Sequence, residues 1–175
     1  MRGAAARHGA APKEAPVHSF AMMIIRQAVF PTDLAQVISI FSEYVRSPTA
    51  DLGFQAYEAE FAALPGKYAA PEGRLLLAQE EGAVLGCAAL RRVDQSTCEM
   101  KRVYVRPAAR GRNLGRLLVE AIVREARLAG YARICLDVLP EFTAAQQLYQ
   151  SMGFAPAEPV SFNPVPGTKF LALAL

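Results

Sequence analysis

With 175 residues the chain has room for one domain of ordinary size plus an extension. Its 53% hydrophobic against 20% charged residues excludes both a disordered polypeptide and a disulfide-stapled miniprotein. The formal net charge of +3 divides into +2 over residues 1–21, +6 over Lys101 to Arg116 and −5 over everything else, which fits one compact anionic ligand and argues against nucleic acid as a partner.

Residues 1–21 are Ala-rich and weakly basic and lack the apolar core of a secretory signal, so they read as a flexible extension ahead of a single domain over 22–175. The first strand is expected over Met22 to Ala28. Pro31 then opens a helix whose Leu34, Val37, Ile38, Phe41, Tyr44 and Val45 fall on one face, ended by Ser47-Pro48. A second helix is expected over Phe54 to Leu64, stopped by Pro65-Gly66. Arg74 to Glu80 and Ala83 to Arg91 are apolar strands joined by a tight turn at Glu81-Gly82, and Thr97 to Arg106 is a further strand closed by Pro107. Leu114, Leu117, Leu118, Ala121, Ile122 and Leu128 trace a long amphipathic helix ending at Gly130. Arg133 to Val138 is a strand, and Ala145, Leu148, Tyr149 and Met152 mark a short helix stopped by Gly153. Pro156 to Gly167 reads as a loop leading to an edge strand, Lys169 to Leu173. Strands that alternate with helices on either side of a hairpin-linked centre predict an α/β fold with helices on both faces of a mixed sheet.

Cys87, Cys98 and Cys135 are odd in number, widely spaced and set in apolar strands, so they read as buried filler in a reducing, cytoplasmic compartment. His8 and His18 both fall in the extension, and no metal site is expected. The longest apolar run, Ala83 to Leu90, is far shorter than the ~18 to 20 residues of a membrane span, so no membrane association is expected.

The densest chemical signal lies between Val103 and Arg116, where a strand ends, a short loop turns and a helix begins among arginines and two glycines. A helix N-terminus leaves about four backbone N–H groups without intrahelical partners and carries roughly half a positive charge, which suits phosphate. Gly111 and Gly115 permit close backbone approach, and Arg110, Arg112 and Arg116 add charge. Neither the P-loop nor the Rossmann glycine pattern is present.

This segment resembles the pyrophosphate loop of the GCN5-related N-acetyltransferases (GNAT). That loop runs Gln or Arg, two variable residues, Gly, one variable residue, then Gly or Ala, and begins here at Arg110, continuing through Gly111, Arg112, Asn113 and Leu114 to Gly115. Asn113 stands where the family has its first glycine. A second family pattern, N-x-x-A-x-x-L-Y-x-x-x-G-F, is matched by Ala145, Leu148, Tyr149, Gly153 and Phe154, with Phe142 in place of the Asn.

The resemblance implies a GNAT fold: a mostly antiparallel mixed sheet of six to seven strands with about four helices. It implies transfer of an acetyl group from acetyl-CoA to an amine by direct attack, an acyltransferase reaction that needs no metal. It places the cofactor on Val103, Tyr104 and Val105 and on Arg110 through Arg116. Glu99 matches the spacing of the glutamate base in histone-type members, and period-two alternation puts it on one face with Lys101, Val103 and Val105; it reads equally as an ion-pair partner of Lys101 or Arg102. Tyr149 holds the position of the family's general acid, or else packs beneath the cofactor. The acceptor is expected between Phe54 to Tyr68 and Phe162 to Thr168, with Tyr68, Lys67, Arg102 and Asn163 as candidates and Lys67 or Arg102 able to receive a carboxylate. A small-molecule primary amine is the first expectation. A protein or peptide acceptor and a non-catalytic acetyl-CoA sensor are the alternatives, and a homodimer, common in the family, is compatible with the chain.

Overall fold

The computed structural model describes residues 22–175, and the expected extension over 1–21 lies outside them. Seven strands and four α-helices follow in chain order: β1 (Ile24–Gln27), α1 (Leu34–Arg46), α2 (Tyr57–Ala62), β2 (Arg74–Glu80), β3 (Ala83–Arg92), β4 (Thr97–Val105), α3 (Leu114–Leu128), β5 (Arg133–Val138), α4 (Thr143–Ser151), β6 (Ala155–Pro156) and β7 (Lys169–Ala174). The strands form one sheet in the order β1-β2-β3-β4-β5-β7-β6, antiparallel throughout except where β4 meets β5. That parallel pair requires a long crossover, and α3 supplies it.

The apolar runs read as β2 and β3 form strands buried on both faces. Leu76, Ala78, Ala88 and Leu90 face the core under α3 and α4, whereas Leu75, Leu77, Cys87 and Ala89 face the second core with Val37, Ile40 and Phe41 of α1. Glu81 and Gly82, both at positive φ, make the expected two-residue hairpin turn. All three cysteines are free and buried, and burial pushes the Cys98 thiol up to about 12, as filler requires.

Two expectations change. The second helix is not continuous from Phe54: Gly53–Gln55 forms a 3-10 turn and Ala56 sits at φ +49, so the α-helix starts only at Tyr57. Pro156, read as the start of a loop, instead forms with Ala155 a two-residue strand paired with β7. So short a strand has no periodicity to detect.

β4 carries the most consequential irregularity. Its register with β3 shifts between Tyr104↔Cys87 and Lys101↔Ala89, leaving an extra residue on β4, and Arg102 lies there at φ +58. The bulge reverses the strand's alternation. Cys98 and Met100 face the α3 core before it, as Val103 and Val105 do after it. Glu99 and Lys101 therefore point to the opposite face from Val103 and Val105, correcting the expectation that all four share one.

Arg102 is 2% exposed. Its Nε donates to Glu60 Oε1 at 2.9 Å and its Nη1 to Gln55 Oε1 at 2.6 Å, while the guanidinium lies over the rings of Tyr44 and Phe41. Glu60 also receives Lys67 Nζ and the Tyr68 hydroxyl. Burial alone would raise the Glu60 carboxyl, but Arg102 and Lys67 outweigh it and hold the group below its usual range. This network fastens α2 to β4. Arg102→Ala removes the buried cation that Glu60 and Gln55 share, leaving Glu60 with Lys67 and Tyr68, and is expected to lower the unfolding free energy by about 3 kcal/mol. Arg102→Gly loses the same partners but adopts positive φ freely, so it is expected to be about 1 kcal/mol more stable than the alanine variant in urea denaturation.

Candidate active site

β4 and β5 are paired only at Thr97↔Arg133, Cys98↔Ile134 and Glu99↔Cys135. Beyond Glu99 they part, and Met100 to Val105 on one side and Leu136 to Leu139 on the other line a cavity of about 810 Å³ that reaches the start of α3 and one face of α4. The β5-side edge of β4 therefore has no strand partner along Met100 to Val105, although it lies in the middle of a sheet. Backbone groups so placed are available to an extended ligand that brings its own amides.

At one end of the cavity, Pro107–Ala109 forms a 3-10 turn and the chain enters α3 through Arg110 to Asn113. Gly111 at φ +77 and Asn113 at φ +61 set the loop's shape. Asn113 thus takes up the left-handed conformation for which glycine is usual, and its side chain makes no capping bond, so the first N–H groups of α3 remain available to an anion. Arg110, Gly111, Asn113, Leu114, Gly115 and Arg116 line this end.

The basic segment is largely neutralised by its own surroundings. Lys101 meets Asp137 and Glu99, Arg102 meets Glu60, Arg106 meets Glu43, and Arg112 meets Glu80 at 2.5 Å. Arg112 does not line the cavity. Arg116 donates to Ser151 Oγ at 2.7 Å and lies only loosely, at 3.8 Å, from Glu120. Among the described residues Arg110 has no acidic partner; its Nε donates to the Val105 carbonyl at 3.3 Å.

Midway along the cavity Tyr149 of α4 packs its ring on Phe154, with centroids 5.7 Å apart, and also lines the cavity. Its hydroxyl has no hydrogen-bond partner among the described residues. Burial pushes this phenol well above its ordinary value, and the nearby Tyr44 and Asp137 add to the shift. A phenol so placed stays protonated at neutral pH. Phe142, at the N-cap of α4 in place of the family's Asn, adds an apolar wall.

Glu99 is fully buried behind the cavity and does not line it. Its Oε1 accepts from Ser161 Oγ at 2.7 Å, its Oε2 lies 2.5 Å from Arg91 Nη2, and Lys101 Nζ is 3.5 Å away. The ion pair with Lys101 is present; Arg91 stands where the sequence offered Arg102 as the other partner. Of the four acceptor candidates, Arg102 and Asn163 line the cavity, while Lys67 and Tyr68 are gathered on Glu60 outside it. The arrangement adds residues the sequence reading passed over. Asp137 lines the cavity, accepting from Asn163 Nδ2 at 2.6 Å and facing Lys101 Nζ at 3.3 Å. Its signal was there to read: one carboxylate in the apolar run Ile134 to Val138.

A parted strand pair beside an anion-ready helix start suits a ligand that carries both amides and phosphate, and comparison with known proteins supplies the family. The model of the acetyltransferase (GNAT) family matches residues 35–154. The chain belongs to the GNAT family. A relative described as an uncharacterized N-acetyltransferase of Schizosaccharomyces pombe is 39% identical over 147 residues, covering 83% of this chain and 90% of the relative. An acetyltransferase structure from Streptococcus agalactiae superimposes with a TM-score of 0.71 at 23% identity over 87% of this chain and 98% of that one. An acetyltransferase from Salmonella typhimurium, solved with its cofactor acetyl-CoA, gives 0.61 at 26% identity over 87% and 93%. This GNAT chain is accordingly an acyltransferase with acetyl-CoA as acetyl donor. No helix among the described residues is long and apolar enough to cross a membrane.

The φ of Asn113 carries an expectation for the loop itself. Asn113→Gly should keep or slightly raise stability, because glycine holds φ +61 without cost, whereas β-branched Asn113→Val should lower it by about 1 kcal/mol. Thermal unfolding of the two variants without ligand checks this.

Proposed function

We propose that this GNAT enzyme transfers the acetyl group of acetyl-CoA to the primary amine of a small molecule by direct attack. The observation that carries the choice of a small acceptor is a pair of bridges across the acceptor end of the cavity. Thr49, just after α1, donates from its N–H and hydroxyl to Glu141 in the β5–α4 loop, the hydroxyl at 2.9 Å. Phe54 meets Phe162 of the β6–β7 loop edge-on, with centroids 6.3 Å apart. A long peptide laid across this end would have to break these contacts, whereas a compact molecule between Arg102 and Asn163 would not.

In this reading the backbone of Val103, Tyr104 and Val105 pairs with the amide-bearing arm of the donor as a strand would. The N–H groups at Gly111, Asn113, Leu114 and Gly115 receive the diphosphate, with Arg110 and Arg116 adding charge. Arg112, held on Glu80 outside the cavity, makes no direct contact with the donor. Tyr149 protonates the departing thiolate; its free hydroxyl and cavity position support that role. Glu99 acts from behind the cavity through Lys101, and Lys67 and Tyr68 act only by holding Glu60.

Thiol release across free amino acids, polyamines, aminoglycosides and lysine-containing peptides tests the proposal. Turnover on one of the small classes is expected, and activity confined to peptides would overturn it. Arg110→Ala and Arg116→Ala should each raise KM for acetyl-CoA about fivefold, the effect of roughly 1 kcal/mol, while Arg112→Ala changes it little. Tyr149→Phe should lower kcat about a hundredfold or more with KM for acetyl-CoA near unchanged. Because burial raises the Tyr149 phenol, the loss should be the same from pH 6 to 9; full retained turnover would remove Tyr149 from the mechanism.

A further inference from the structure

Four carboxylates surround the acceptor half of the cavity, and their partners separate them. Glu60 is held by Arg102, Lys67 and Tyr68 and does not line the cavity. Glu99 is fully buried and occupied by Arg91, Lys101 and Ser161. Glu141 bridges to Thr49. Glu141 also lines the cavity, but it is exposed to solvent and both its oxygens accept from Thr49. Asp137 is the largely buried carboxylate that combines a cavity-lining position with spare accepting capacity. An ionised carboxylate offers about four lone-pair sites, and Asn163 Nδ2 at 2.6 Å and Lys101 Nζ at 3.3 Å occupy two of them.

Its place in the fold matters as much. The last β4–β5 pair is Glu99↔Cys135, and Asp137 lies two residues farther along β5, past the point where the strands part. The same two-residue step takes β4 from Glu99 to Lys101. The carboxylate matched by spacing to a catalytic base is therefore enclosed in the paired part of the seam, and the next carboxylate outward is the one that meets the open cavity.

We propose that Asp137 is the group that receives the acceptor's ammonium and takes its proton, and that Lys101 and Glu99 are positioning residues for it. The inference rests on the reading of this site as an amine acetyltransferase. An ammonium group that becomes an amide loses two protons. Asp137 accepts the first, directly or through one water, and passes it to solvent. The freed nitrogen lone pair forms the C–N bond, the second proton leaves nitrogen as the C–S bond breaks, and the sulfur departs with a proton from Tyr149. The second proton then restores Tyr149. The sum is ammonium plus thioester giving amide, thiol and one proton.

The surroundings suit these roles. Facing Asp137 are Lys101 and, behind it, Glu99 from β4; Tyr44 from α1; Tyr149 from α4; and Asn163 from the β6–β7 loop, with Phe170 opposite on β7. Burial would lower the Lys101 ammonium, but Asp137 and Glu99 outweigh it and raise the group, so Lys101 stays charged and does not compete for the proton. Arg91, Glu99, Lys101 and Asp137 form a line of alternating charge that fixes Lys101 in place.

The test compares Asp137→Asn, Asp137→Glu and Glu99→Gln with the wild type, each checked by thermal unfolding. The probe is the amine from the panel with the highest turnover, or a lysine-containing peptide if no small amine is used. Asp137→Asn should lower kcat/KM for the amine about a hundredfold at pH 7, leave acetyl-CoA affinity within twofold, and recover toward wild type by about pH 10, where solvent supplies the free amine. Asp137→Glu should restore part of the loss. Glu99→Gln should cost about tenfold or less and keep the wild-type pH profile. An Asp137→Asn profile equal to wild type overturns this inference alone, as does a pH-independent loss accompanied by weaker acetyl-CoA binding. The full loss with a shifted profile in Glu99→Gln instead assigns the base to Glu99. Wild-type protein that acetylates no amine at all overturns this inference and the acetyltransferase reading together.

Discussion

The site depends on a parallel strand pair that holds for three residues and then lets go. β4 and β5 are brought side by side by the α3 crossover, pair from Thr97 to Glu99, and diverge. An unpaired strand edge is normally found at the rim of a sheet, where water satisfies it. Here it lies at the centre, flanked by two apolar cores, and a ligand with backbone-like amides is the natural way to satisfy it. The same crossover places the start of α3 at the end of that edge, so the strand and the anion site are aligned by one connection.

The bulge at Arg102 decides what faces what. Without it, Lys101 and Val103 would share a face, and the charged line from Arg91 to Asp137 would run into the α3 core. With it, the acidic and basic residues before the bulge stay on the face away from α3 while Val103 and Val105 pack under it. The backbone strain at φ +58 is held by the buried Arg102–Glu60–Gln55 network. The residue that distorts the strand thus also docks α2 onto the open edge of β4.

Much of the fold was legible because the apolar runs of β2 and β3, glycine punctuation after α3 and α4, and the Glu81-Gly82 turn are local signals. The strand-loop-helix turn into α3 was legible for the same reason, and its glycine-like positions Gly111 and Asn113 both take positive φ. What could not be read was the pairing of charges across long sequence distances. Lys101 to Arg116 looks like six cations for one ligand, yet Glu43, Glu60, Glu80 and Asp137 answer four of them from elements up to 63 residues away. Asp137 was overlooked because a carboxylate in an apolar strand gains meaning only once its neighbours part. The face assigned to Glu99 failed because a one-residue bulge leaves no trace in a hydrophobic pattern.

Amide hydrogen exchange with and without CoA addresses the parted seam most directly, since it reads the backbone of β4 itself. Amides within residues 103–105 and in the first turn of α3 should slow by about tenfold or more on adding CoA, while β2 and the paired stretch Thr97 to Glu99 remain unchanged. Protection confined to other elements, with the 103–105 amides exchanging as in the free protein, would contradict the assignment of the unpaired β4 edge as the donor site.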